Sequence, residues 1–209
     1  LRASRPNRRL PPRARHHDVK VSRRSNTPMI SGIHTVIRSA EPDDAEAMWR
    51  LYDPKRPRSF LLGPTREVMI PTQDEMREML GRRDVVQGSF FTIEDHAGVV
   101  RGCCVLRGAK MESEFAEIVV ALDDDAAYET PLADEVIAYL EKVGFVDKKL
   151  NKLVAHCLSN ETNYRAYLVR HGFVSDGVQR QMVFTKGQYF DLESLSLFRS
   201  AQTGDVHGT

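Results

Sequence analysis

Cysteine is scarce in this chain of 209 residues: Cys103, Cys104 and Cys157 make a sparse and odd set. Such a set excludes a disulfide-stapled scaffold and suits a reducing compartment, so the expected location is the cytoplasm. No Cys or His spacing fits a metal site, so no metal is expected. No apolar run approaches the roughly 20 residues that a membrane-spanning helix needs. Hydrophobic residues are 41% and charged residues 28%, an ordinary globular balance. Adjacent Cys103 and Cys104 lie in an apolar run and point to opposite faces of a strand, as small core side chains do.

Acidic residues are nearly missing from the first 28 positions, where nine basic residues face Asp18 alone. That segment carries a net +8 within a chain of net +1, which leaves −7 for the remainder. It also holds Pro6, Pro11, Pro12 and Pro28 and little that packs, so residues 1–28 are expected to be a disordered basic tail. Three readings of it stay open: an extension upstream of an initiator at Met29, an Arg-rich transit peptide, or an arm for nucleic acid or another acidic partner. A domain is expected over 29–199, with 200–209 a flexible end.

Within that span an apolar strand at 34–38 precedes EPDDAEAMWRLY. There Glu41, Asp43 and Asp44 sit where a helix N-terminus favours acids, and Ala45, Met48, Trp49 and Tyr52 recur at helical spacing. Residues 53–72 have no clear period and read as a loop with a short helical turn. Thr72 and Glu75 form a capping-box pattern ahead of a second helix faced by Met76, Met79 and Leu80. A hairpin turning near His96–Gly98 and a long strand over 113–124 follow. A helix over 131–145 then buries Leu132, Ala133, Val136, Ile137, Leu140 and Val143, with Pro131 allowed in its first turn. A strand over 152–158, a helix from 160 stopped by Gly172, and a closing strand pair complete the order β-α-α-β-β-β-α-β-α-β-β. The fold class is α/β (α+β): a mixed, mostly antiparallel sheet flanked by helices.

This order, with AEIVVAL at 116–122, HCLSNETNYRAYLVRHGF at 156–173 and the closing GFVSDGVQRQMVFTKGQYFDLESLSLF, resembles the GNAT superfamily of acetyl-CoA-dependent N-acetyltransferases. It looks most like the branch that includes ribosomal-protein N-terminal acetyltransferases, and the resemblance covers 34–199. What it implies is acetyl transfer from acetyl-CoA, as co-substrate, to a primary amine: a protein N-terminus or a small molecule. A homodimer is possible, no membrane partner is implied, and nucleic acid enters only through the basic tail. The alternative is a GNAT-fold binding or regulatory module, or one using another acyl donor.

That alternative arises from a departure. The family's glycine-bearing phosphate loop corresponds here to DDDAAYETPLADE, residues 123–135, which has no glycine. Asp123, Asp124, Asp125, Glu129 and Asp134 oppose an anion there, and Pro131 has no N–H to offer it. The resemblance places a pyrophosphate at the amides of Tyr128, Glu129, Thr130, Leu132 and Ala133. It places the thioester arm along Val119, Val120, Ala121 and Leu122, with Asn160 holding it. Glu117, a carboxylate among apolar neighbours in the central strand, is the expected general base, and His156 the runner-up. Tyr167 is the candidate acid for the leaving thiolate. It stands seven after Asn160, although counting back from Phe173 points to Leu168 instead.

Overall fold

The computed structural model describes residues 29–52, 57–63, 68–69, 71–81, 88–110 and 112–199. The basic tail and the C-terminal end lie outside the described residues. The strands are β1 (Met29–Ser31), β2 (Val36–Ser39), β3 (Gly88–Glu94), β4 (Val100–Lys110), β5 (Phe115–Leu122), β6 (Lys152–Leu158), β7 (Val174–Thr185) and β8 (Gln188–Phe198). The helices are α1 (Ala45–Arg50), α2 (Gln73–Gly81), α3 (Pro131–Glu141) and α4 (Thr162–Arg170). The expected order therefore holds, with β1 an added edge strand. α3 ends four residues early, because Lys142–Asp147 continues as a wider π turn.

The eight strands form one sheet in the order β1-β2-β3-β4-β5-β6-β8-β7. Every pairing is antiparallel except β5 with β6. That parallel pair needs a crossover, which α3 supplies. The pairing is short: Phe115 with Lys152, Ala116 with Leu153, Glu117 with Val154, and then the strands part. β6 turns to β8, which pairs along its whole length. The result is a fork whose vertex is Glu117 and whose arms are Ile118–Leu122 and Ala155–Leu158.

Strand alternation sorts side chains to two faces. Ile118, Val120 and Leu122, with Leu153, Ala155, Cys157, Leu195 and Leu197, face α3 and α4 and form the main core. α3 docks through Ala133, Val136, Ile137 and Leu140, all fully buried; each of the three larger ones is worth about 1.5–3 kcal/mol. α4 stops where the sequence indicates: His171 caps it and Gly172 follows at φ 85°, a left-handed turn that glycine enters without cost.

On the other face, Met48, Leu51, Met76 and Leu80 pack on Cys103 and Ala121, so α1 and α2 roof β3–β5. Met79, expected on the buried side of α2, is 45% exposed. The Thr72–Glu75 capping box is present in both directions: the Thr72 N–H donates to Glu75 Oε2 at 2.7 Å and the Glu75 N–H to Thr72 Oγ1 at 3.2 Å. Cys103 and Cys104 belong to opposite faces, and all three cysteines are buried and free. Among the described residues no helix is long and apolar enough to cross a membrane, and no cluster of three or more metal-ligating side chains occurs.

Candidate active site

Parallel pairing places Glu117 at the last register before the fork opens. Its side chain shares a sheet face with Val119 and Ala121, away from α3 and α4, and is 28% exposed. The surroundings are less apolar than the sequence suggests. Arg107, directly opposite on β4, donates from Nη2 to Glu117 Oε1 at 2.7 Å. The expectation of an isolated carboxylate is therefore corrected to one arm of a cross-strand ion pair, which fixes the side chain's direction.

His156 lies two residues beyond Val154, the partner of Glu117, on the same face of β6. Strand spacing and rise put its Cα roughly 8 Å from that of Glu117. Its Nδ1 is 3.0 Å from Ser194 Oγ, directly across on β8. A carboxylate and an oriented imidazole thus line one side of the fork.

The inner edge of β5 is occupied. Beyond the vertex its outward N–H and C=O groups face no strand and need partners. Tyr128, 1% exposed, supplies them: its hydroxyl donates to Val120 O at 3.0 Å and lies 3.4 Å from the Leu122 N–H. The Tyr164 hydroxyl also faces the Val120 backbone. Arg58, 8% exposed, donates from Nη1 to Leu122 O at 2.9 Å and from Nη2 to Tyr128 Oη at 3.0 Å. Asn160, expected to hold the thioester arm, donates from Nδ2 to Pro57 O at 2.9 Å instead.

The segment after β5 is a 3-10 turn, Asp125–Glu129, ahead of α3. Asp124 caps it, accepting from the Ala126 N–H at 3.0 Å. The Thr130 N–H goes to Ala127 O and the Ala133 N–H to Thr130 O, so two amides expected to hold pyrophosphate are spent inside the turn. The acids are tied locally as well. Asp123 meets Arg101, Asp125 lies 3.8 Å from Arg58, and Asp134 accepts from Arg170 at 2.7 Å and contacts His171 at 3.0 Å. Burial pushes the Asp134 carboxyl up, and its bonds to Arg170 and His171 outweigh that and hold it below its ordinary range.

Tyr167 departs most from its expected role. It is fully buried against Tyr128 and Tyr164, and its hydroxyl donates to Ala133 O at 2.8 Å. Burial raises its pKa well above the usual tyrosine value. A hydroxyl committed to the first turn of α3 is not presented to a leaving thiolate. Leu168, at the rival position, is core. Sequence reasoning missed Arg58 and Arg107, and it read Tyr128 only as a backbone donor.

A mixed sheet forked at one parallel pair, with helices on both faces and a carboxylate at the vertex, defines an acyltransferase-type fold. The chain belongs to the acetyltransferase (GNAT) domain family, which it matches over residues 37–193, and it is thereby an N-acetyltransferase. Solved structures agree on the fold. A probable acetyltransferase superposes with TM-score 0.68 at 21% identity, covering 83% of this chain and 98% of the other. A spermidine/spermine N-acetyltransferase from Vibrio cholerae gives TM-score 0.65 at 18% identity, covering 81% and 95%. A GNAT-family acetyltransferase from Bacillus anthracis gives 0.63 at 18% identity, covering 83% and 99%. No curated protein matches the chain.

The family uses acetyl-CoA as co-substrate. The expected placement lays its amide-bearing arm along the edge of β5 and its pyrophosphate on amides at the start of α3. Here the Leu122 carbonyl and the edge groups of Val120 are engaged, and Pro131 opens α3 without an N–H. The fork as it stands does not fit that molecule.

Proposed function

We propose that this chain acetylates a primary amine that approaches the face roofed by α1 and α2, with Glu117 as the proton acceptor. The observation that carries this is the position of Glu117 at the fork vertex, on the face that also holds His156. Acetyl transfer to an amine requires the ammonium to lose a proton before its nitrogen attacks. Glu117 Oε1 is held by Arg107, which aims the carboxylate and leaves Oε2 to take that proton, directly or through a water. His156 is the second acceptor. Its ring is oriented by the 3.0 Å contact between Nδ1 and Ser194 Oγ. The acetyl group is taken to arrive as acetyl-CoA, and the acceptor class spans protein N-termini, as in the ribosomal-protein branch, and small amines such as the polyamine named for the Vibrio cholerae relative. A cytoplasmic location and a homodimer fit this reading.

Glu117→Gln keeps the shape and removes the acceptor. It is expected to lower kcat by roughly 10²- to 10⁴-fold with little change in CoA affinity. Full turnover by this variant moves the role to His156, which His156→Ala then tests.

A second reading, an acetyltransferase fold that takes an acyl donor other than acetyl-CoA, draws on the occupied edge of β5. Thermal unfolding with CoA or acetyl-CoA separates the two. A ligand at a hundred times its Kd stabilises by about 2.7 kcal/mol, whereas a fork built for another donor gives no shift with CoA.

A further inference from the structure

Residues 57–61 run across the mouth of the fork and are fastened to both arms. On the β6 side, Asn160 holds the Pro57 carbonyl, and Glu161 Oε2 accepts from the Ser59 N–H at 2.9 Å and from the Leu158 N–H at 2.8 Å. On the β5 side, Arg58 reaches in to the Leu122 carbonyl and to the Tyr128 hydroxyl. The Tyr128 hydroxyl in turn bridges Val120 O and the Leu122 N–H. Arg58 Cζ also lies over the Phe60 ring, 5.3 Å from its centroid, a contact within its own segment. A polar cleft of about 120 Å³ is left, lined by Pro57, Arg58, Asp125, Asn160, Glu161 and Tyr164 among others.

These contacts share one chemistry. An extended chain of amides laid along β5 donates N–H groups to the outward carbonyls and accepts from the outward N–H groups. Arg58 donates to one carbonyl, Tyr128 donates to the other and faces the N–H between them. Two side chains thus satisfy the edge as a bound amide arm does. They also bring one positive charge beside Asp125 on a loop that is otherwise acidic.

We propose that Arg58 and Tyr128 are an internal stand-in for the amide-bearing arm of the acyl donor, so that a thioester donor enters the fork only when Arg58 releases the Leu122 carbonyl. The inference rests on the reading of the chain as a user of acetyl-CoA. It explains how that reading and the closed fork coexist: the free protein holds its own competitor, and donor affinity is set by how firmly residues 57–61 are fastened. Anything that draws Arg58 away then raises donor affinity without touching the vertex.

Arg58→Met keeps the aliphatic stem and removes the donors; Tyr128→Phe keeps the ring and removes the hydroxyl. The affinity of CoA for the full chain and for both variants is measured by calorimetry, alongside Tm. Each variant loses hydrogen bonds in the free state and is expected to melt lower, yet to bind CoA more tightly. The gain is expected to be about tenfold or more for Arg58→Met, because a bond from a charged donor is the stronger, and smaller for Tyr128→Phe. That opposition of sign is the signature, since a residue that merely supports the fold lowers both together. Wild type binding CoA as tightly as both variants, or more tightly, overturns the stand-in and leaves the acetyl-CoA reading intact. Absence of binding in all three proteins, with folding verified by their melting transitions, overturns the acetyl-CoA reading and the stand-in with it. Should Arg58→Met fail to fold, Tyr128→Phe decides alone by the same criterion.

Discussion

Replacing Asp44 by Asn, which keeps the shape and removes the charge, is expected to loosen the attachment of α1 to the sheet. Asp44 is 7% exposed and accepts four bonds: from Arg38 Nη1 at 2.8 Å and Nη2 at 2.6 Å, from the Glu41 N–H at 2.8 Å and from Thr92 Oγ1 at 2.8 Å. Arg38 is shared with Glu94, whose Oε1 it meets at 2.6 Å. Breaking a buried pair by removing one partner costs about 3–5 kcal/mol. Glu94 keeps part of the compensation for Arg38, so the lower end, about 3 kcal/mol, applies. For a domain of this size each kcal/mol moves Tm by about 2–4 °C, which gives a fall of about 6–12 °C at pH 7. The pH dependence has a definite sign. Burial pushes the Asp44 carboxyl up, but the bonds from Arg38, Glu41 and Thr92 outweigh burial and set it below its unfolded value near 3.8. A carboxylate depressed in the folded state contributes stability above the unfolded pKa and loses it as pH falls through the folded one. The difference in Tm between wild type and Asp44→Asn should therefore shrink as pH falls below about 4. A fall under about 2 °C at pH 7, or a difference that does not change with acid, refutes the reasoning. So does a double variant with Arg38→Met whose effects simply add, since paired groups couple.

Two further substitutions test the packing that frames the site. Gly102→Ala places a Cβ 2.1 Å from the Ala121 carbonyl oxygen, on strand backbone that has no room to yield. It is expected to cost several kcal/mol, beyond the 1–3 kcal/mol typical of overpacking, and to show as a Tm fall above 8 °C or failure to fold. Glu135→Ala removes the α3 carboxylate that accepts from the N–H groups of Ile33, His34 and Thr35 at 3.0–3.1 Å. These groups are mostly solvent-accessible, so a loss of about 1–2 kcal/mol is expected, with faster hydrogen exchange confined to residues 32–35. Exchange unchanged there indicates that the turn is held by β1 pairing alone.

Element order was legible because each segment's apolar period agrees with its final state: α3 repeats its buried residues at helical spacing and β5 alternates between two cores. β1 was not legible, since three residues at a sheet edge carry no period. Asp44 was read as an acid favoured by a helix N-terminus. Its position was right, but its strongest partner, Arg38, lies six residues away on β2 and was invisible to that rule.

The site was harder to read because its decisive contacts are long-range. Glu117 and Arg107 are ten residues apart, and they face each other only because the turn between β4 and β5 carries an irregularity near Gly108, whose φ of 69° suits glycine. Without that irregularity, counting the register back from the Lys110–Phe115 pair puts Gly108, which has no side chain, opposite Glu117, and the carboxylate looks isolated among valines. Arg58 is 64 residues from Leu122 in a stretch with no period at all. Tyr128 is close in sequence to the strand it serves, yet its hydroxyl acts on backbone groups eight and six residues earlier. The missing glycines of 123–135 were readable, and they pointed to the right region with an incomplete cause. Three of the five acids there, Asp123, Asp125 and Asp134, face Arg101, Arg58 and Arg170, so charge is the weaker obstacle. The stronger one is steric and hydrogen-bonding: where a glycine lets a ligand approach backbone, this chain carries a tyrosine that takes the backbone for itself. That distinction is measurable, because charge repulsion fades with added salt while a satisfied hydrogen-bonding edge does not. CoA affinity that is nearly constant from low to high ionic strength, yet rises on removal of the Tyr128 hydroxyl, assigns the obstacle to the edge. Affinity that climbs with salt and ignores the hydroxyl assigns it to the acids.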